Sequence, residues 1–142
     1  MRALTVWQPW ASLLATGNKK NETRSWNTNI RGPVAIHAAK KPIKEVIPLM
    51  DPEAVKLVNR LLYPALLGQL PTGCVVGTGN LVDCILITKE YIKTLSREEI
   101  LLGDYTPGRY AWVFENFRLL STPVPTKGDQ GFWNWEGGGI DG

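Results

Sequence analysis

A lysine, a glutamate and an arginine lie close together in the run Gly17-Asn18-Lys19-Lys20-Asn21-Glu22-Thr23-Arg24. The run follows an apolar helical pattern and continues into a segment that reads as extended as far as Trp26. Alternate residues of an extended chain share a face, so Glu22, Arg24 and Trp26 project to one side and Thr23 and Ser25 to the other. One cleft then offers a carboxylate acceptor, a guanidinium fork and an aromatic plane, the groups that pair with and stack on an unpaired base. Lys19 adds a mobile cation. The plain alternative is an ion pair of Glu22 with Arg24 or Lys19 that only pins the helix to the next strand, worth about 0 to 1 kcal/mol if exposed. The six tryptophans, Trp7, Trp10, Trp26, Trp112, Trp133 and Trp135, pose the same choice. Buried aromatics dominate the energetics of small domains, so most are assigned to the core and Trp26 to ligand contact.

Other chemistries find less support. Gly77-Thr78-Gly79-Asn80-Leu81-Val82 lacks the third glycine of a dinucleotide fingerprint and no convincing helix follows it, and no lysine-containing phosphate loop occurs. Two cysteines, Cys74 and Cys84, and a single histidine, His37, cannot make a disulfide framework or complete a tetrahedral zinc site without carboxylates. Neither metal nor cofactor is expected. No context pairs His37 with a serine or cysteine nucleophile, and a lone histidine in an apolar strand is more often structural.

These side chains need elements to hold them. Residues 3–6 suit a strand. A helix begins around Pro9, where a missing N–H is harmless, carries Trp10, Leu13 and Leu14 at helical spacing, and ends at Gly17, which suits a left-handed cap. Residues 22–26 and 33–38 read as strands. Asp51-Pro52 starts a helix with an aspartate cap, followed by an apolar stripe through Leu62. Residues 74–88 form a long β segment in which Gly77 and Gly79 mark a bend or a close backbone approach. Ser96-Arg97-Glu98-Glu99 matches a capping box for a short helix ending near Gly103, and residues 110–120 are the last clear strand, stopped by Pro123 and Pro125. Loop-connected strands without regular crossover helices argue against a doubly wound sheet. They favour an α+β protein, a small, mixed or mostly antiparallel β-barrel decorated with helices, closed or nearly so, since closure hides strand edges. Leu13, Val34, Ile36, Val58, Val76, Ile85, Trp112 and Phe114 are expected inside it.

With 142 residues, 44% of them hydrophobic, the chain supports one core that buries about two thirds of its unfolded surface. Its longest hydrophobic run is the five residues 110–114, far below the ~20 of a membrane span, and no signal-peptide pattern opens it. A cytoplasmic protein is expected. The net charge of +3 conceals an asymmetry. Residues 1–44 hold eight basic side chains and one acid, a net +7, whereas residues 45–142 hold eight basic and twelve acidic ones, a net −4. A local positive field attracts phosphate even when net charge is modest, and Lys40 and Lys41 sit in the basic part.

Gly17, Lys19, Glu22 and Arg24 match the G-x-K-x-x-E-x-R signature of ASCH domains. Thr5-Val6-Trp7-Gln8-Pro9-Trp10-Ala11, Ile36-His37-Ala38-Ala39-Lys40, Leu81-Val82-Asp83-Cys84, Tyr110-Ala111-Trp112 and Lys127-Gly128-Asp129-Gln130-Gly131-Phe132-Trp133 also resemble stretches of bacterial and phage members. The resemblance covers nearly the whole chain and implies a PUA-like barrel over residues 1–136; residues 137–142, glycine-rich with a single apolar residue, read as a flexible tail. It further implies a cleft that acts on single-stranded RNA or a modified nucleoside. In one branch that hydrolyses acetylcytidine, the signature lysine works with a threonine and a downstream glutamate. Here Glu22 occupies the threonine position, and Thr23 next to it faces the other way, so that constellation does not transfer intact. Two readings stay open. One is a binding module that uses Gly17, Lys19, Glu22, Arg24 and Trp26 with Lys40 and Lys41. The other is a small hydrolase, an amidohydrolase or ribonuclease, with Lys19 indispensable and Glu22 or Asp83 as base.

Overall fold

The structure, a computed structural model, describes residues 1–137; apart from Gly137, the expected flexible tail lies outside the described residues. Six strands form one mixed sheet: β1 (Arg2–Val6), β2 (Asn21–Arg24), β3 (Gly32–Ala38), β4 (Cys74–Leu86), β5 (Tyr110–Pro125) and β6 (Phe132–Asn134). Their order in the sheet is β2-β5-β4-β3-β1-β6. Only β1 and β3 run parallel; the other pairs are antiparallel. The helices are α1 (Trp10–Ala15), α2 (Ile43–Val46), α3 (Pro52–Leu62), α4 (Lys89–Ile92) and α5 (Arg97–Leu101), with 3-10 turns at Ile47–Leu49 and Leu67–Gln69. Among the described residues no helix is long and apolar enough to cross a membrane.

The sheet curls without closing its ladder. Trp112 of β5 stacks on Phe132 of β6, with ring centroids 5.2 Å apart, so strands far apart in the sheet order meet face to face. Arg24 of β2 reaches Thr5 of β1 in the same way. The result is a half-barrel whose two edges are joined by side chains rather than by a further pair of strands. Inside the curl, Leu4, Val34, Ile36, Val76, Trp112 and Phe114 pack against Leu14 and Ala15 of α1. Gly77 permits that close approach, because a Cβ there would lie 2.5 Å from the Arg118 carbonyl oxygen and 2.7 Å from Ala15 Cβ. The sequence pattern of close-set glycines thus marks the place where helix and strand touch.

Seven of the eight expected core residues are buried. Ile85 is not: near the end of β4 it is only partly buried, and Ile87, two residues further on, makes the core contact with Tyr105 and Ala111. Pro123 and Pro125 do not stop β5, which continues to Pro125. Since β2 covers only residues 110–113 of β5, the outer edge beyond them needs no amide donors and tolerates proline. The short elements α2, α4 and β6 leave no usable pattern in the sequence. At α1 the cap comes from Gln8, whose amide oxygen accepts from the Ser12 amide at 3.0 Å and whose nitrogen donates to Ser12 Oγ and the Pro71 carbonyl. At α3, Asp51 accepts from the Glu53 amide as expected.

Candidate ligand cleft at the barrel seam

The turn from α1 into β2 places the signature. Gly17 takes φ 77° and donates its amide to Leu14, while the Lys19 amide returns to Leu13, so the chain reverses within two residues and enters β2. A left-handed conformation at that point suits glycine. Glu22 and Arg24 then face the seam together. Arg24 Nε and Nη2 donate to Glu22 Oε2 at 3.1 and 2.8 Å, and Nη2 also donates to the Thr5 carbonyl at 3.0 Å. Both bonds to Glu22 end on one oxygen, leaving Oε1 outside the fork. The guanidinium carbon lies 5.6 Å from the Trp26 ring centre and 5.7 Å from that of Trp112.

Around this pair opens a cleft of about 590 Å³, within the range of small-ligand sites. Its walls come from Thr5 and Val6 of β1 with Trp7 just beyond, from Trp26 after β2, from Leu49 and Met50 ahead of α3, from the stretch Leu101 to Asp104 that begins at the end of α5, and from Gln130 and Gly131. Trp26 is 50% exposed and Trp7 43%, so two indole faces stand open at the rim. Trp26 sits beyond the end of β2, yet it keeps the side expected of an extended segment. The assignment of most tryptophans to the core holds for Trp112 and Trp135, which are buried, and fails for Trp7.

Lys19 lies under the cleft rather than waving at its mouth. It is 1% exposed, and its ammonium donates to the Asn21 carbonyl. Glu99 Oε2 stands 3.9 Å away. Burial pushes the Lys19 pKa below its ordinary value, and the charges of Glu22 and Glu99 oppose that push in part. Glu99 itself accepts from the Lys20 amide and the Tyr105 hydroxyl. Ser96 and Glu99 have the spacing of a capping box, and half of that box is present: Ser96 Oγ accepts from the Glu99 amide, but the carboxylate turns inward to the lysine. The spacing of Ser96 and Glu99 is visible in sequence. The long-range partner is not.

The other candidates stand apart. Asp83 is exposed, 3.9 Å from Arg31, and does not line the cleft. Lys40 and Lys41 do not line it either, although Lys41 Nζ lies 5.0 Å from the centre of the Trp7 ring and 3.7 Å from Glu45. Lys41 therefore flanks the cleft mouth. Asp104 at the opposite wall is held below the usual carboxylate range by the Thr106 hydroxyl. Each cation in the cleft thus has an anion beside it. An incoming phosphate would find no uncompensated charge there, whereas a flat neutral group would find two open indoles, a free carboxylate oxygen and apolar walls. Among the described residues no cluster of His, Cys, Asp and Glu assembles a metal site.

Comparison with known proteins agrees with this architecture. The family model described as ASCH domain matches residues 4–123. The chain is 33% identical over 134 residues to human "Activating signal cointegrator 1" and 30% identical to the mouse protein of that name, covering 92% of this chain but only 21% of each of those proteins. A crystal structure of ASCH from Zymomonas mobilis superposes with TM-score 0.59 at 12% identity, over 96% of this chain and 88% of that one. A tyrosine-to-phenylalanine mutant of the same bacterial protein gives 0.54 at 13% identity, over 87% of this chain and 74% of that one. At such identities the solved structures attest the fold. The matches span mammals and a bacterium, so they do not single out the bacterial or phage type.

Proposed function

The chain belongs to the ASCH domain family, and from that premise we propose that it binds single-stranded RNA by taking one unpaired or modified base into the seam cleft. The observation that carries this reading is the internal charge balance of the cleft beside two half-exposed indoles. Arg24 is matched by Glu22, and Lys19 by Glu99 and the Asn21 carbonyl, so the site favours a flat group that hydrogen-bonds over a bare anion. Glu22 Oε1 is placed to accept from a base amino or imino group, and Trp26 and Trp7 offer stacking faces worth about 1 to 3 kcal/mol per base. Phosphates are met outside, by Lys40 and by Lys41 beside Trp7, whose pair with Glu45 is solvent-exposed and therefore weak.

Hydrolysis is the second reading, favoured by the lowered pKa of Lys19 alone. An amidohydrolase needs the lysine amine at the substrate, yet the side chain is buried and tied to Asn21, which supports a role in shaping the cleft floor. The test is a titration of a short fluorescent single-stranded RNA, over a salt series, with acetylcytidine and the same RNA assayed for turnover in parallel. Binding that weakens with salt and falls about tenfold or more in Trp26→Ala, with neither substrate consumed, is the expected result. Turnover abolished by Lys19→Ala would establish the hydrolase instead.

A further inference from the structure

The single histidine lies outside the signature, and its surroundings show what it does. Thr5 and His37 are register partners on the parallel strands β1 and β3, and their side chains lie on the sheet face covered by the C-terminal segment. His37 is 2% exposed. Its Nε2 meets the Thr126 carbonyl at 2.8 Å, its Nδ1 meets Thr5 Oγ1 at 3.2 Å, and its ring stands edge-on to Trp133, centroids 5.4 Å apart. Trp133 Nε1 donates to the same Thr5 Oγ1 at 2.9 Å.

These contacts have one consistent polarity. A carbonyl only accepts, so Nε2 carries the proton toward Thr126. In the neutral ring Nδ1 is then bare and accepts from the Thr5 hydroxyl, which accepts in turn from Trp133. Gly128 packs directly on the ring: a Cβ there would lie 2.5 Å from His37 Cε1 and 2.6 Å from Nδ1. The 126–131 loop is therefore seated on the imidazole at two points, Thr126 and Gly128. Just beyond them Gln130 and Gly131 line the cleft, and the Gly131 carbonyl accepts from the Thr5 amide.

We infer that His37 is a positioning residue that seats the cleft-lining 126–131 loop in its neutral form and releases it when the ring takes a second proton. This regulation of the cleft rests on the binding reading above, although the seat itself does not. A protonated ring carries a hydrogen on Nδ1, so Thr5 Oγ1 faces two donors and its own hydrogen loses its acceptor. It also places an unpaired charge in a buried site. The elements around the ring supply no anion: β1 contributes Thr5 and β6 Trp133, β4 contributes Val75 opposite His37 while the Cys74 thiol packs on the other face of the sheet, and the loop residues Lys127 and Asp129 are exposed. Among the described residues no ion pair reaches the ring.

The test follows the Trp133 indole and the Gln130 and Gly131 amides by NMR as pH is lowered from about 8 to about 5, the interval over which histidines change charge. In the wild type all three signals should titrate together, with RNA affinity falling about fivefold, the worth of one neutral hydrogen bond. His37→Gln, whose amide can still donate to Thr126 but which does not titrate, should hold them flat. Gly128→Ala should displace the Gln130 and Gly131 signals already at the high-pH end. Loop signals that stay flat in the wild type, that titrate equally in His37→Gln, or that are unmoved by Gly128→Ala would each overturn the seat. A loop that titrates without any change in RNA affinity would uphold the seat and count against RNA binding in the cleft.

Discussion

Arg24 places two of its donors on a single oxygen of Glu22, at 3.1 and 2.8 Å, and makes a third interaction with the Thr5 carbonyl. The guanidinium is thereby fixed across the seam of the half-barrel, and Glu22 keeps one oxygen for the cleft. Glu22→Ala should leave Arg24 with an unmatched charge in a mostly buried place. We expect destabilisation of roughly 2 kcal/mol, less than the roughly 3 to 5 kcal/mol of a fully buried pair because both side chains retain some contact with water. Urea unfolding measures it. Arg24→Lys should not restore the wild-type value, since a point ammonium cannot make the same fork.

Trp26 and Trp112 should separate binding from stability. Trp26→Ala removes a half-exposed ring and should change the melting temperature little while weakening RNA binding about tenfold or more. Trp112→Ala empties the barrel core and breaks the stack on Phe132, for a loss of about 3 to 5 kcal/mol. Thermal melts and anisotropy titrations on the same two variants distinguish these outcomes.

Lys19 gives a pH dependence whose sign follows from burial. Its folded pKa lies below the ordinary lysine value. At low pH both folded and unfolded states hold the proton, and the penalty for burying the charge is borne in full. As pH rises through the lowered folded pKa, the folded state releases a proton that the unfolded state keeps up to about pH 10, so stability increases. Lys19→Met should lose that alkaline gain. Tyr105 acts in the opposite direction, since burial raises its pKa and the unfolded state sheds its proton first above about pH 10. Urea midpoints of wild type and Lys19→Met compared below that pH isolate the lysine.

Much of this fold can be read along the chain, because its decisive features are local. Gly17 after an apolar helical run announces the turn, Asp51-Pro52 announces α3, and alternation from Glu22 to Trp26 puts three functional groups on one side. What escapes is set by partners distant in sequence. Glu99 looks like a helix cap until Lys19 and Lys20 come beside it, and Trp7 looks like core until the sheet curls and leaves it at the rim. Ile85 is misread because the core contact at that end of the strand is made by Ile87, against Tyr105 and Ala111, partners the local pattern does not announce. Asp83 attracts notice as a carboxylate near a family block, yet its strand carries it to Arg31 and away from the seam.

Gly77→Ala probes the contact between α1 and β4. The added methyl would meet both the Arg118 carbonyl and Ala15, so helix or strand must shift, and a loss of about 1 to 3 kcal/mol is expected. Because α1 leads directly into the signature turn, the same variant should also weaken RNA binding. Gly108→Ala, where a Cβ meets nothing within 4 Å, should show only the strain of its positive φ. A calorimetric comparison of the pair tests whether close packing, rather than glycine flexibility, governs the site.

Lys40→Ala with Lys41→Ala should reduce RNA affinity for every sequence and lower the slope of affinity against salt by up to about 2. An unchanged slope would assign the pair to a solvated face.

Entry of a base into the seam cleft is read from the indole N–H signals of the six tryptophans in an NMR titration with short single-stranded RNA. Trp26 and Trp7 should move together and saturably while Trp135 stays in place. Perturbations confined to the amides around Lys40 and Lys41, with Trp26 and Trp7 unmoved at saturation, would contradict it.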